Sequence, residues 1–223
     1  MVELVHGLSA ERVRSNLAHI QSQIAAALAR SADPERKVEV LAAVKYVACQ
    51  DLPILAEGGV RLVGENRAQD LQEKFAAHGE LFQWDFIGAL QSRRVRTIVP
   101  YVRLIHSVAS ESALRELERH LELASPGLRI LIEVNVAGEQ GKAGIEPAQL
   151  ADFIARSPVP VAGLMTMPPL AQTAEDSRRW FRALRLLAVE HDLGQLSMGT
   201  SQDYAVAVEE GATIVRIGTN LYD

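Results

Sequence analysis

Between residues 9 and 30 the apolar positions Val13, Leu17, Ile20, Ile24 and Leu28 recur at steps of three and four, the spacing that lines one face of an α-helix. Ser9 stands just ahead of them as an N-cap. A polar break over residues 31–35 follows, and the pattern then changes to short β-rich runs alternating with segments of helical spacing. The runs are 38–44, 61–63, 84–87, 103–105, 129–134, 159–164, 195–198 and 213–217, eight in all. Residues 67–77, 111–123, 147–156 and 175–190 lie between them with helix-forming composition. Strands alternating with helices predict a parallel sheet with both faces covered. Eight such units predict a closed (β/α)8 TIM barrel of the α/β class rather than an open doubly wound sheet. Little chain follows the eighth strand, so no closing helix is expected there, and the helix ahead of the first strand is expected to complete the outer ring. No linker, fixed-period repeat or low-complexity tract interrupts the pattern, and one domain over residues 1–223 is expected.

Composition narrows the partner. A chain of 223 residues, 48% hydrophobic, can bury one core of this kind. A net charge of −5 argues against a nucleic-acid or anionic-membrane surface, and the basic run QSRRVR at 91–96 is too local to supply one. With Cys49 as the single cysteine, no intrachain disulfide or multi-thiolate metal site can form, and the six histidines show no metal-ligand spacing. The opening octet, Met1 to Leu8, lacks a basic segment followed by an apolar core, and no later stretch approaches membrane-spanning length. The expectation is a cytoplasmic monomer whose partner is a small molecule, with no metal.

Candidate chemistry sits where strands end. Run 38–44 is almost continuously apolar and stops at Lys45, which by strand parity shares a face with Leu41 and Ala43. If Val40, Ala42 and Val44 pack outward, Lys45 points into the barrel at its reactive, C-terminal end. Desolvation there would favour the free amine and prepare it to attack an aldehyde; alternatively, the head of the side chain snorkels to solvent. Arg216 interrupts the apolar run TIVRIG, and a buried guanidinium needs an anion, a hydrogen-bond acceptor or a ligand, with an internal salt bridge as the alternative. The turns SMGTS (197–201) and GTN (218–220) follow strands seven and eight, the usual phosphate loops of such barrels, with a helix start expected near Gln202. Taken singly, Ser201 reads as an N-cap and Gly218 as a turn residue. In VGENRAQ (63–69), Gly64, Glu65 and Asn66 fall where a side chain can reach the mouth, although Asn66 reads equally as a helix cap. His106 ends strand four and reads first as a packed or capping residue, while Met165 and Met167 read as barrel wall.

Lys45, the GEN turn at 64–66, WDFIGALQS (84–92), HSVAS (106–110), EVNVAGEQGKAGI (133–145), GLMTMPP (163–169), LSMGTSQD (196–203) and VRIGTNLYD (215–223) together resemble the pyridoxal phosphate homeostasis proteins. These share their fold, the fold-type III barrel, with the N-terminal domain of alanine racemase. The ordered set covers nearly the whole chain. The resemblance implies that Lys45 holds pyridoxal 5′-phosphate as an internal aldimine, that Ser201 with the backbone of Gly218 and Thr219 binds its phosphate, and that Arg216 faces the pyridine nitrogen. It places Asn66 and Met165 near the ring and Lys142 near the site. Four positions depart from the family pattern: Val44 replaces a small hydroxyl residue, Asp85 a histidine, Ala109 an aspartate and Thr200 a methionine.

The implied function is vitamin B6 homeostasis, as a carrier or buffer without turnover of its own, with pyridoxal-phosphate-dependent apo-enzymes as candidate recipients. A racemase of this fold needs a second acid–base group opposite the lysine, which the racemases supply from a further domain. The competing readings are a residual racemase and a Schiff-base aldolase acting on a phosphorylated substrate.

Overall fold

The computed structural model describes residues 4–222, so Met1, Val2 and Glu3 of the opening octet and Asp223 of the last motif lie outside the described residues. Helix α1 (Ala10–Leu28) opens the fold, with the Ser9 hydroxyl accepting the Arg12 N–H at 3.1 Å as its N-cap. Its inward face buries Val13, Ile20, Ile24 and Ala27.

The repeating units then follow in order. They are β1 (Glu39–Ala43), α2 (Leu52–Glu57), β2 (Leu62–Glu65), α3 (Ala68–His78), β3 (Gln83–Phe86), β4 (Leu104–Val108), α4 (Glu111–Arg119), β5 (Arg129–Glu133) and α5 (Leu150–Ala155). After these come β6 (Val161–Met165), α6 (Arg178–Glu190), β7 (Gln195–Thr200), α7 (Tyr204–Glu209) and β8 (Ile214–Ile217). The expected strands all form, and they close into a parallel barrel in sequence order, with Leu41 of β1 opposite Arg216 of β8. The basic run 91–96 overlaps a 3-10 segment, Ser92–Thr97, which takes the place of a helix between β3 and β4.

One expectation is corrected at the end of the chain. A single helical turn, α8 (Thr219–Tyr222), does follow β8. Four residues cannot span the barrel wall at 1.5 Å of rise each, so α1 still completes the ring, lying against α7, α8 and α2. The Tyr204 hydroxyl donates to Gln23 Oε1, and Arg30 pairs with Glu209 at 2.6 Å, tying α1 to α7.

Strand parity divides the core in two. Val63, Phe86, Ile105, Ile132, Leu164, Val215 and their neighbours face outward into the layer beneath the helices. Leu41, Leu62, Leu104, Leu131, Met165 and Ile214 face inward and plug the lumen. Each fully buried side chain of this kind stabilises by about 1.5–3 kcal/mol, and the plug seals the barrel below its C-terminal mouth.

Candidate functional site

A cavity of about 400 Å³ opens at the C-terminal ends of β1 and β8. Lys45, Asn66, Ser201, Arg216, Gly218 and Thr219 all line it, so six of the seven expected residues meet in one place. Met165 does not reach the cavity wall: it is 3% exposed and belongs to the plug beneath. Met167 lines the wall instead, because the chain has left the strand by that point and can turn its thioether upward. Its Sδ accepts from Arg216 Nη2 at 2.9 Å.

Parity holds for Lys45, since Leu41 faces the lumen while Ala42 and Val44 face the helices. The lysine is half-buried, with Nζ 4.5 Å from the centroid of the Tyr46 ring. Behind it lies a buried ion pair. Lys74 Nζ donates to Glu65 Oε2 at 2.6 Å and to the Val44 carbonyl at 2.7 Å, while Glu65 Oε1 accepts the N–H groups of Asn66 (2.6 Å) and Arg67 (3.3 Å). Glu65 therefore points away from the mouth, contrary to the expectation for the GEN turn, because its parity puts it on the outer face. Asn66 does not cap α3, whose N-cap residue is Arg67 with no side-chain capping bond. Instead Asn66 Oδ1 is buried without a hydrogen-bond partner.

Arg216 is 6% exposed, and within the chain its partners are hydrogen-bond acceptors, one of the expected kinds, rather than an internal salt bridge. Among the described residues no carboxylate pairs with it. Nη1 donates to Ser197 Oγ at 2.6 Å and Nη2 to the Thr166 carbonyl at 3.0 Å. Burial pulls its pKa down to about 10 against the charges of Asp203 and Glu133, so it remains a cation at neutral pH. Ser197 Oγ lies 2.8 Å from His106 Nδ1, and His106 Nε2 lies 3.1 Å from Asp85 Oδ2. Asp85 accepts in turn from Arg103 Nε (2.9 Å) and Nη2 (3.2 Å), and Arg103 grips Glu39 with two bonds of 2.8 Å.

The ends of this chain set its proton order. Asp85 acts as an acceptor for Arg103, so His106 carries its proton on Nε2, and the Ser197 hydroxyl accepts from Arg216 while donating to Nδ1. Burial lowers the His106 pKa, opposed by Asp85 and assisted by the cations Arg216 and Arg103, which keeps the ring neutral. Sequence reasoning classed His106 as packed and Asp85 as a departure, without connecting them. The available signal was the inward parity of Asp85 between outward Trp84 and Phe86.

The two small-residue turns also meet. Ser201 Oγ accepts the Gly218 N–H at 3.2 Å, and Asn220 Nδ2 donates to the Ser201 carbonyl at 2.8 Å. Ser201 is thus not an N-cap. Helix α7 begins at Tyr204 rather than near Gln202, and its cap residue Asp203 folds back to accept from Thr200 N and Oγ1. Gly199 has φ +89°, and a Cβ there would sit 2.6 Å from the Ala207 Cβ, so this turn requires glycine. Lys142 lines a different recess and pairs with Glu139.

Residues 15–223 match the family described as alanine racemase, N-terminal domain. The chain is 38% identical over 217 residues to the pyridoxal phosphate homeostasis protein of Aquifex aeolicus, covering 92% of this chain and 95% of the relative. It is 34% identical over 227 residues to the protein of the same name from Vibrio cholerae, covering 94% and 95%. Among solved structures it is similar to PipY of Synechococcus elongatus with PLP bound, at TM-score 0.79 and 30% identity over 95% of this chain and 100% of that one. The alanine racemase of Bartonella henselae shares the fold at TM-score 0.71 and 13% identity, with 96% of this chain matching 59% of that one.

Proposed function

Because the chain belongs to the alanine racemase N-terminal domain family, and within it to the pyridoxal phosphate homeostasis proteins, we propose that it binds pyridoxal 5′-phosphate at Lys45 and serves as a cytoplasmic, monomeric carrier and buffer of that cofactor. The observation that carries this reading is the convergence of an amine, a buried guanidinium and two facing small-residue turns on one cavity. The residues present fit the group. Asn66 Oδ1 is buried without a partner, and the space a Cβ would take at Gly218 is open.

When bound, the cofactor supplies an electrophilic aldehyde carbon and an electron-accepting ring. Lys45 Nζ, which lies beside the Tyr46 ring, would hold the group covalently. Ser201 Oγ and the N–H groups of Gly218 and Thr219 would hold the phosphate, with Asn66 beside the ring and Met165 in the floor below. Arg216 would meet the ring nitrogen as a donor that stays charged, which disfavours protonation of that nitrogen and so weakens the ring as an electron sink. A carrier needs reversible attachment and gains nothing from a strong sink.

One of the two phenols lining the cavity also supports a carrier. Tyr222 Oη donates to the Ala43 carbonyl at 3.0 Å, and burial, with the Glu65 charge adding to it, raises its pKa far above the ordinary phenol value. It is therefore a poor proton acceptor for a racemase-like step.

Purified protein incubated with the cofactor should turn yellow, and borohydride should fix the label on the peptide containing Lys45. Lys45→Ala should lose the band. Wild-type protein that stays colourless after reconstitution would sink the proposal, and a band retained in Lys45→Ala would move the attachment elsewhere. Alanine racemisation clearly above the Lys45→Ala background would replace the carrier with an enzyme. Transfer from the loaded protein to a pyridoxal-phosphate-dependent apo-enzyme, read as recovered activity of that enzyme, tests delivery.

A further inference from the structure

A second recess of about 300 Å³ opens at the same end of the barrel, around β4 and β5, and shares no lining residue with the Lys45 cavity. Its walls include Ser107, Ala109, Ser110, Glu133 and Lys142. Glu133 ends β5 on the inward face, as Lys45 follows β1, and it is only 7% exposed. Among the described residues, no hydrogen bond or ion pair reaches its carboxylate. Burial pushes its pKa up, and only the more distant charges of Arg216 and Lys142 oppose this.

Such a group is costly. A mostly buried carboxylate without a partner keeps only the hydration that the recess allows it. Lys142, the nearest lysine on the wall, is engaged with Glu139 instead. Across the recess, Ser110 caps the N-terminus of α4, its hydroxyl accepting the Ala113 N–H at 3.2 Å. The recess therefore offers a carboxylate without a cation, together with the ion-paired Lys142 and the N-terminus of α4 on the same lining.

We propose that this recess is a binding site for a small free α-amino acid, with its ammonium on Glu133 and its carboxylate toward Lys142 and the start of α4. The ligand supplies the donor that Glu133 lacks, and its zwitterionic form matches both kinds of group on that lining. An amine alone or a carboxylic acid alone satisfies one kind only. The site does not depend on the cofactor reading, since no residue at Lys45 takes part.

The test is isothermal titration of L-alanine into two forms of the whole protein. One is free of cofactor, and the other has been loaded and reduced with borohydride, so that Lys45 cannot exchange with an incoming amine. Saturable binding to both is expected, with ethylamine and propionate at least about tenfold weaker, the loss of one charge-assisted contact. Glu133→Gln, which keeps the shape, should weaken L-alanine by a similar factor and leave the cofactor absorbance in place. Ala109→Leu, which fills the recess without touching a charge, should abolish binding and guards against a Glu133 variant that fails to fold.

Absence of heat up to about 10 mM L-alanine overturns the proposal. So does unchanged affinity in both variants. With loaded, unreduced protein titrated as a third sample, binding confined to that sample also overturns it, because it assigns the amino acid to chemistry at Lys45. Failure of the cofactor to bind at all, with L-alanine still bound, would count against the carrier reading alone.

Discussion

The buried pair behind Lys45 makes a quantitative claim about stability. Lys74 is 5% exposed and Glu65 fully buried, and their contact is 2.6 Å. In Lys74→Met the aliphatic volume is nearly kept, but Glu65 Oε2 loses its cation and the Val44 carbonyl loses a donor. Breaking a buried pair from one side costs about 3–5 kcal/mol, because the surviving charge has no compensation. In a chain of this size each kcal/mol moves the melting temperature by roughly 2–4 °C, so a fall of roughly 6–20 °C is expected. The double variant Lys74→Met with Glu65→Gln removes the charge altogether and should recover a large part of the loss. Thermal melts at neutral pH followed by circular dichroism would show both effects. The same pair holds the Val44 carbonyl and the Asn66 N–H, so Lys74→Met should also weaken the cofactor, by absorbance titration. A single-variant shift under about 2 °C, or a double variant no better than the single, would refute the account of Glu65 as a charge held in place by Lys74.

Three other expectations follow from described contacts. In Asp85→Asn the amide turns an N–H toward His106, so the ring proton should move from Nε2 to Nδ1, as 15N chemical shifts of histidine-labelled protein would report; an unchanged tautomer would break the proposed proton order. Glu209 and Glu210, each working against some burial, are held below the ordinary carboxylate value by hydrogen bonds from arginines: Arg178 and Arg30 for the first, Arg182 and Arg178 for the second. A lowered folded pKa contributes stability that is present above the unfolded value and lost as pH falls through the folded one. The stability gap between wild type and Glu210→Gln should therefore be constant above about pH 5.5 and shrink as pH falls past the ordinary carboxylate value, measured by urea unfolding at each pH. At Gly88 a Cβ would lie 2.0 Å from the Asn66 carbonyl oxygen, so Gly88→Ala must push Asn66 aside and should lower both melting temperature and cofactor affinity. Retention of both would show that the β2 and β3 loops yield more easily than their packing indicates.

The barrel was legible because its two periodicities are strong. Apolar runs of strand length and a helical stripe at 10–28 survive in any reading of the chain, and Lys45 declared itself as a charge closing an apolar strand. Other features depended on contacts between residues far apart in sequence. Whether Glu65 faced the mouth or the helices was a matter of one residue of register, settled by Lys74 nine positions on. Met165 and Met167 differ only in whether the chain is still in the strand when each is reached, and local propensity does not mark that point. The line from Arg216 through Ser197, His106 and Asp85 to Arg103 joins β8, β7, β4 and β3 with the segment just before β4, and only closure of the sheet brings those residues together. Helices α2 and α8 are too short to carry a full amphipathic stripe, which is why they escaped notice, and of the equally short α7 only the start was expected, two residues early.

Closure by α1 has a kinetic side. The first helix and first strand find their partners in α7, α8 and β8, the elements furthest from them in sequence. Until β8 emerges during synthesis, β1 keeps an open hydrogen-bonding edge and the apolar stripe of α1 has no permanent cover. The order of translation is thus opposed to the order in which the ring can be sealed, and high sequence separation of the sealing contacts slows that last step. A circular permutant opened at an exposed loop and joined through the neighbouring ends would make those contacts local and should refold faster than the natural order.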